Sequence, residues 1–447
     1  MLKLYKGFAR QRVFLYNNNM YYLSYSVYAI IILLLIWGGK FAGFKNTQFH
    51  ENSSSLDVMK SLRGFAAIGV ILHHISQEDA FQYANMTKGW GAPGELSIFV
   101  NAGYLFVSIF FFCSGYGLIK SLDSKPDYLN GFMKKRVVKT LVIPFYVNVL
   151  FYAVYHLIAG PKMPVAHWIT NFLGLTLMND YAWYPIVAVL LYIAFYIFFK
   201  NIKNQKVCFL LMAIVIFLMG VFFCFNGHFA WWAGPKNWWL NGMDNAPWWK
   251  QQRIIWFFGE WWVNSAPAML AGMIFARKEE KIREWFKKLY WLKLLGAIII
   301  MLALSVLSGI GQMKFGYWTE WSGNGPDILK KFITYCLQVP EAVMITILFF
   351  IIMLKYYAIN PVSRFFGNIS LETYMMNLIA IESFRFLLYG KYGQPLSKPC
   401  HWNLAVYAAA VFAATIILAL IYKAANKGVL KLFKDKPKEV TLQNETV

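Results

Sequence analysis

Two residues in one apolar run carry chemistry: Arg63 and His74, within DVMKSLRGFAAIGVILHHIS at 57–76. They stand eleven positions apart. On a helix, eleven steps of about 100° return to within roughly 20° of the starting face, three turns and ~16 Å further along. His73 points about 80° away from Arg63 by the same geometry, so periodicity selects His74 as the partner. An imidazole that is neutral near pH 7 can take a proton from a hydroxyl. A guanidinium can hold a phosphate or carbonyl, or stabilise developing negative charge. The same pair also admits a structural reading, in which Arg63 snorkels to head groups and His74 bridges two helices.

The elements that must position this pair are membrane helices. The chain has 447 residues, of which 59% are hydrophobic and 14% charged. A soluble protein of this length carries about a quarter charged residues, so lipid is the solvent this composition fits. Aromatic residues make up 19%, with 18 Trp, and Trp and Tyr gather where a bilayer meets water. The net charge of +22 would suggest nucleic acid in a soluble protein. Here Lys and Arg sit in short runs between apolar segments, which reads as membrane topology and contact with anionic head groups. Five scattered cysteines give neither a disulfide framework nor metal-ligand spacing. The first apolar run follows a long basic stretch without a cleavage site and reads as an uncleaved span.

Apolar runs of span length fall at 20–38, 58–77, 99–120, 138–159, 182–199, 206–225, 256–276, 289–310, 333–354, 367–389 and 403–423. They predict an all-α polytopic transmembrane bundle of ten core spans plus one N-terminal segment. The expected divisions are a basic segment with an extra helix at 1–56, a membrane domain at 57–423 and a basic cytoplasmic tail at 424–447. The connections alternate in charge. Those around Lys134, Lys135 and Arg136, around Lys200, Lys203 and Lys206, around Arg277 to Lys288, and around Lys355 and Arg364 are basic. Those at 78–98, 160–181 and 390–402 are poor in Lys and Arg. The positive-inside rule assigns the basic set to the cytoplasm, so 58–77 runs from inside to outside. A span at 20–38 then puts Lys3, Lys6, Arg10 and Arg12 outside, against the same rule. The expectation is nonetheless a span with an outer N-terminus, the later spans overriding that charge.

LRGFAAIGVILHH resembles the first motif of the acyltransferase 3 membrane family, in which Arg, ten residues and His open the domain. Further motifs follow in order. GYLFVSIFFFCSGYGLI (103–119) is similar to the family's FFxxSG segment. KKRVVKTLVIPFY (134–146) resembles its basic run followed by Pro and Tyr. WYPIVAVLLYIAFY (183–196) is similar to its Trp-led span, and FGNISLETYMMN (366–377) to its closing Gly-x-x-Ser segment. The resemblance covers about 57–423. It implies transfer of acetyl or another short acyl group, commonly from acyl-CoA, to a hydroxyl of a sugar, surface polysaccharide or lipid-linked glycan. It carries catalytic roles onto Arg63 and His74, and functional roles onto Ser114 and Arg136. Two positions depart from the pattern: Asn377 stands where the family often has His, and Lys60 where an acidic residue often precedes the Arg.

Each supporting residue has a plainer reading beside the functional one. Lys134, Lys135, Arg136 and Lys139 suit the phosphates of CoA, or simply mark the cytoplasmic side. Ser114 and Gly115 suit a narrow passage for the donor arm with Ser114 donating a hydrogen bond, or a close helix crossing. Trp231, Trp232, Trp238 and Trp239 in the long outer loop can stack on sugar faces, or form an interfacial belt. Glu382 can pair with Arg385 three residues on. Glu260 and Glu341 have no evident partner.

The expected protein is therefore a membrane O-acyltransferase of the bacterial inner membrane. Acetyl-CoA or a related thioester is its donor substrate, with no metal and no tightly bound cofactor. Membrane lipid and a sugar or polysaccharide acceptor are its partners, and nucleic acid is not. A secondary transporter of an anionic or sugar-like solute is the alternative. It fits the span count, but the chain shows neither internal repeats nor broken helices in matching halves.

Overall fold

A computed structural model describes residues 21–82, 96–159, 165–172, 177–179, 182–226, 264–315, 328–389 and 401–433. The order is α1 (Tyr21–Ile36), β1 (Gly39–Phe41), α2 (Leu56–Gln82), α3 (Ser97–Val100), α4 (Gly103–Ser124), a π-helix (Met133–Val142) running into α5 (Ile143–Ile158), α6 (Val165–Phe172), α7 (Trp183–Asn201) and α8 (Gln205–Asn226). Then come α9 (Pro267–Lys287), α10 (Tyr290–Phe315), α11 (Ile328–Lys355), β2 (Tyr356–Ala358), α12 (Pro361–Asn368), α13 (Ser370–Phe384), α14 (Phe386–Tyr389) and α15 (His401–Leu432).

Among the described residues six helices are long and apolar enough to cross a membrane: Gly103–Ser124, Met133–Ile158, Trp183–Asn201, Tyr290–Gln312, Phe332–Lys355 and Leu404–Leu432. Tyr25–Ile36 and Gln205–Val221 are apolar but shorter. The ten core spans read from the sequence are not reached on this measure, for physical reasons. Helix α2 carries Lys60, Arg63, His73 and His74 in its core stretch. Of the expected span 256–276, residues 256–263 lie outside the described residues, and α9 turns charged from Arg277 onward. The run 367–389, expected as one span, is broken where Ile369 leaves helical geometry at φ −125° and again at Arg385. Helix α15 continues to Leu432, past the expected end of the last span.

Two crossings fix the surroundings of α2 and α4. A Cβ on Gly64 would lie 1.9 Å from the Ser363 carbonyl oxygen, and one on Gly367 would lie 2.1 Å from that of Lys60, so α2 and α12 touch backbone to backbone. The contact is reinforced where Ser61 donates to the Ala358 carbonyl at 2.7 Å and meets Ser363 Oγ at 2.6 Å. Asn360 and Ser363 form a reciprocal cap at the start of α12, satisfying backbone donors that would otherwise be orphaned. Helices α4 and α9 meet the same way. A Cβ on Gly115 would lie 2.0 Å from the Met269 oxygen, and one on Gly272 would lie 2.1 Å from that of Phe112.

A two-stranded antiparallel sheet is the one departure from an all-helical fold among the described residues. It pairs Gly39 with Ala358 and Phe41 with Tyr356, setting the C-terminal ends of α1 and α11 on one side. Beside it Lys355 is buried and donates to the carbonyls of Gly43, at 2.9 Å, and Lys45. Its ammonium sits 5.3–5.9 Å from the rings of Phe49, Tyr290 and Trp291, a favourable cation–π setting. The segment leading into α2 is thereby anchored.

Candidate active site

Helix α2 presents its two chemical residues to different depths of the bundle. Arg63 is half-buried and lines a cavity of about 900 Å³. Its Nε is buried without a hydrogen-bonding partner among the described residues. The cavity is also lined by Ser114, Tyr116, Lys120, Tyr128, Arg136 and Tyr192. It lies at the α2 N-terminal end, among the basic connections that the positive-inside rule assigns to the cytoplasm. His74 is only 6% exposed. It stands in the bundle interior rather than against lipid and is not part of the cavity wall.

Aromatic side chains cluster around Tyr184, whose ring centroid lies 4.8 Å from that of Phe111 and 5.7 Å from that of Tyr374. Trp183 meets Tyr374 edge-on at 6.5 Å. One turn beyond Tyr374, Asn377 lies near the His74 ring, with both its amide atoms buried and making no hydrogen bond among the described residues. His73 does different work: its Nδ1 is 2.8 Å from the Phe99 carbonyl, and its ring fills the space a Cβ on Gly103 would need. It anchors α3 and the start of α4, as the helical phase of α2 suggests.

The cavity joins opposite charges. Lys120, Lys125, Arg136 and Arg283 supply cations, while Glu51, Glu279 and Glu280 supply carboxylates. Glu279 is the hub. It accepts from Ser54, from Tyr116 at 2.6 Å and from Lys120 at 2.6 Å. Burial alone would raise its carboxyl's pKa, but the hydrogen bonds from Lys120, Ser54 and Tyr116 outweigh burial and hold it below its ordinary 4.5. Arg283 donates to Ser53 Oγ at 2.6 Å and to the His50 carbonyl at 2.7 Å. The end of α9 thus holds the segment that leads into α2.

Of the residues singled out as donor-binding, Ser114 and Arg136 reach the cavity and Lys135 and Gly115 do not. Ser114 Oγ lies 2.5 Å from Tyr192 Oη. Arg136 stacks its guanidinium 5.6 Å from the centre of the Tyr128 ring. Lys135, on the π-helix, is exposed. Gly115 is spent on the α4–α9 crossing, which is the packing reading of that residue. Trp231, Trp232, Trp238, Trp239 and Glu260 lie outside the described residues.

The other acidic residues find partners. Arg385 pairs with Glu78 of α2 at 2.5 Å, one helical turn past His74, with Glu382 adding its charge nearby. Glu341 accepts from Tyr104 and, at 2.7 Å, from Ser305. This ties α4, α10 and α11 together within the apolar bundle. Sequence reasoning missed Tyr192, Tyr128, Lys120, Glu279 and Arg283 as cavity residues. Only Tyr192 lay in a motif, and none has a spacing that signals a shared wall.

A cavity thus lies at the foot of the helix that bears Arg, ten residues and His. The family model described as an acyltransferase domain, Acyl_transf_3, matches residues 56–424, and the chain belongs to this family of acyltransferases. Comparison with curated proteins and with solved structures gave no match. The protein is thus an acyltransferase with several membrane-crossing helices, which sets the transporter alternative aside.

Proposed function

We propose that the protein transfers an acetyl or other short acyl group from acyl-CoA to a hydroxyl of a sugar, surface polysaccharide or lipid-linked glycan. The bacterial inner membrane would be its location, with ten core spans and the N-terminal segment in the bilayer. The observation that carries this reading is the placement of Arg63. Its guanidinium enters a cavity that Arg136, Lys120, Lys125 and Arg283 make attractive to a polyphosphate donor, while His74 waits on the same helix deeper in the bundle. Charge-assisted bonds to phosphate are among the stronger polar contacts available there. In this reading the nucleotide end of the donor rests in the cavity and its thin arm extends past Tyr184 toward His74. Arg63 holds the donor, and His74 takes the proton of the acceptor hydroxyl as its oxygen attacks the thioester carbonyl.

The test is His74→Ala expressed in cells lacking the wild-type gene, with envelope glycans and lipids analysed by mass spectrometry. Loss of an acyl group that wild type restores supports the reading, provided the variant reaches the membrane in normal amount. Full acylation by the variant defeats it.

A further inference from the structure

We propose that Asn377 is the positioning residue that holds the His74 imidazole in the orientation and tautomer needed for proton transfer. The inference rests on His74 being the base and adds a second residue to that centre.

The Asn377 side chain is 0% exposed and lies within hydrogen-bonding reach of the His74 ring. Its Oδ1 and Nδ2 are buried and make no hydrogen bond to any group among the described residues, the His74 ring included. A primary amide offers two donors and an acceptor oxygen, and burying them unfilled is costly. An aliphatic side chain would fill the same space without that cost, so a buried amide whose reach is toward one imidazole points to the imidazole as its purpose. Hydrogen bonds at catalytic centres are often poorly aligned before substrate binds and tighten in the complex.

The surroundings of Asn377 are built to keep it in place. Asn148 of α5 and Asn179 both donate to the Met375 carbonyl, at 2.9 and 3.0 Å. Tyr407 of α15 donates to the Ile381 carbonyl at 3.2 Å. These bonds pin α13 on both sides of residue 377. Trp183 and Tyr184 pack on Tyr374, one turn below. The other polar groups near His74 on α2 are committed elsewhere: His73 to the Phe99 carbonyl and Glu78 to Arg385.

The chemistry gives the amide its task. The proton of the acceptor hydroxyl passes to one nitrogen of His74 as the oxygen–carbon bond forms. The carbon–sulfur bond then breaks, and the proton passes from the imidazolium to the departing CoA sulfur. Throughout, the other ring nitrogen bears a hydrogen that Asn377 Oδ1 accepts, and the amide remains neutral. That bond selects the tautomer whose lone pair faces the acceptor, which is the work a base's partner does in catalytic triads.

The test uses the purified full-length protein and thiol release from the short-chain acyl-CoA that wild type turns over fastest. Asn377→Leu and Asn377→Ala are expected to lower kcat about 10²-fold, with donor KM within roughly 3-fold of wild type because the donor cavity is untouched. Asn377→Asp, which keeps an acceptor oxygen in place, is expected to retain at least about a tenth of wild-type kcat. A merely structural residue would not show that split or that rescue. The inference fails if Asn377→Leu or Asn377→Ala keeps kcat within about 3-fold of wild type, or if Asn377→Asp is folded and as inactive as Asn377→Ala. Should Asn377→Leu not fold, the Ala and Asp variants carry the comparison. His74→Ala run alongside separates the two ideas. Its full activity overturns the base itself, whereas an inactive His74→Ala beside an active Asn377→Ala overturns only the role of Asn377.

Discussion

The hydroxyl oxygens of Ser114 and Tyr192 lie 2.5 Å apart, joining α4 to α7 at the wall of the cavity that Arg63 enters. Their bond bears on whether Ser114 attacks the thioester itself. A nucleophilic serine needs a base within hydrogen-bonding reach. Here its partner is a phenol, and His74 lies beyond the cavity wall. Ser114 is therefore expected to shape donor binding. Losing one neutral hydrogen bond costs about 0.5–1.5 kcal/mol, or roughly 2- to 10-fold in affinity. Ser114→Ala and Tyr192→Phe should each raise donor KM by that factor with little change in kcat. The double variant should be no worse than either single, because both remove the same bond. Steady-state kinetics of the three variants check this. A Ser114→Ala protein that binds donor normally but has no turnover would instead make the serine a nucleophile.

Two glycines two residues apart should behave in opposite ways. A methyl on Gly115 would press on the Met269 carbonyl oxygen at 2.0 Å, while one on Gly117 meets nothing within 4 Å. Backbone cannot yield as a flexible side chain can, so Gly115→Ala forces α4 from α9. Overpacking of this kind costs about 1–3 kcal/mol. Gly117→Ala should leave thermal stability unchanged or slightly raised, since alanine suits a helix better by about 1 kcal/mol. Melting temperatures in detergent distinguish the pair. Equal behaviour of the two variants would contradict the crossing geometry.

These contrasts also show what the sequence could and could not disclose. Helical phase alone separated His74 from His73, and α2 sends the two rings into different surroundings, because phase is a local property of one helix. The apolar runs marked the helices for the same reason. Their breaks at Ile369 and Arg385 were not read, since the polar residues of 367–389 are scattered among apolar ones and leave the run with the length of a single span. Arg385 was expected to pair with Glu382, its neighbour in sequence, and its ion pair is with Glu78, 307 residues away. The cavity was half legible. Ser114 and Arg136 stood in motifs, whereas Glu279 and Lys120 meet only because α4 and α9 cross at glycines. Gly115 looked like a donor residue as much as a spacer, and only the partner helix decides between the two.

The Glu279 hub makes stability depend on pH in a definite direction. Its carboxyl is held below 4.5 in the folded chain, with burial opposing and Lys120, Ser54 and Tyr116 favouring the charged form. A carboxyl that binds its proton more weakly when folded contributes stability that is fully present above the unfolded value. That stability drains away as pH falls through the folded one. Wild type should therefore lose thermal stability between about pH 5 and 3, and Glu279→Gln should lose less over the same range. At neutral pH the variant should melt lower by roughly 1–3 °C, because the amide cannot replace the charged acceptor for Lys120 and leaves α9 less firmly tied to the segment before α2. Melting curves of both proteins in one detergent, taken across that range, decide it. Parallel curves would mean that Glu279 is no more acidic folded than unfolded, and coincident curves that the tie between α9 and Ser54 adds nothing to the fold.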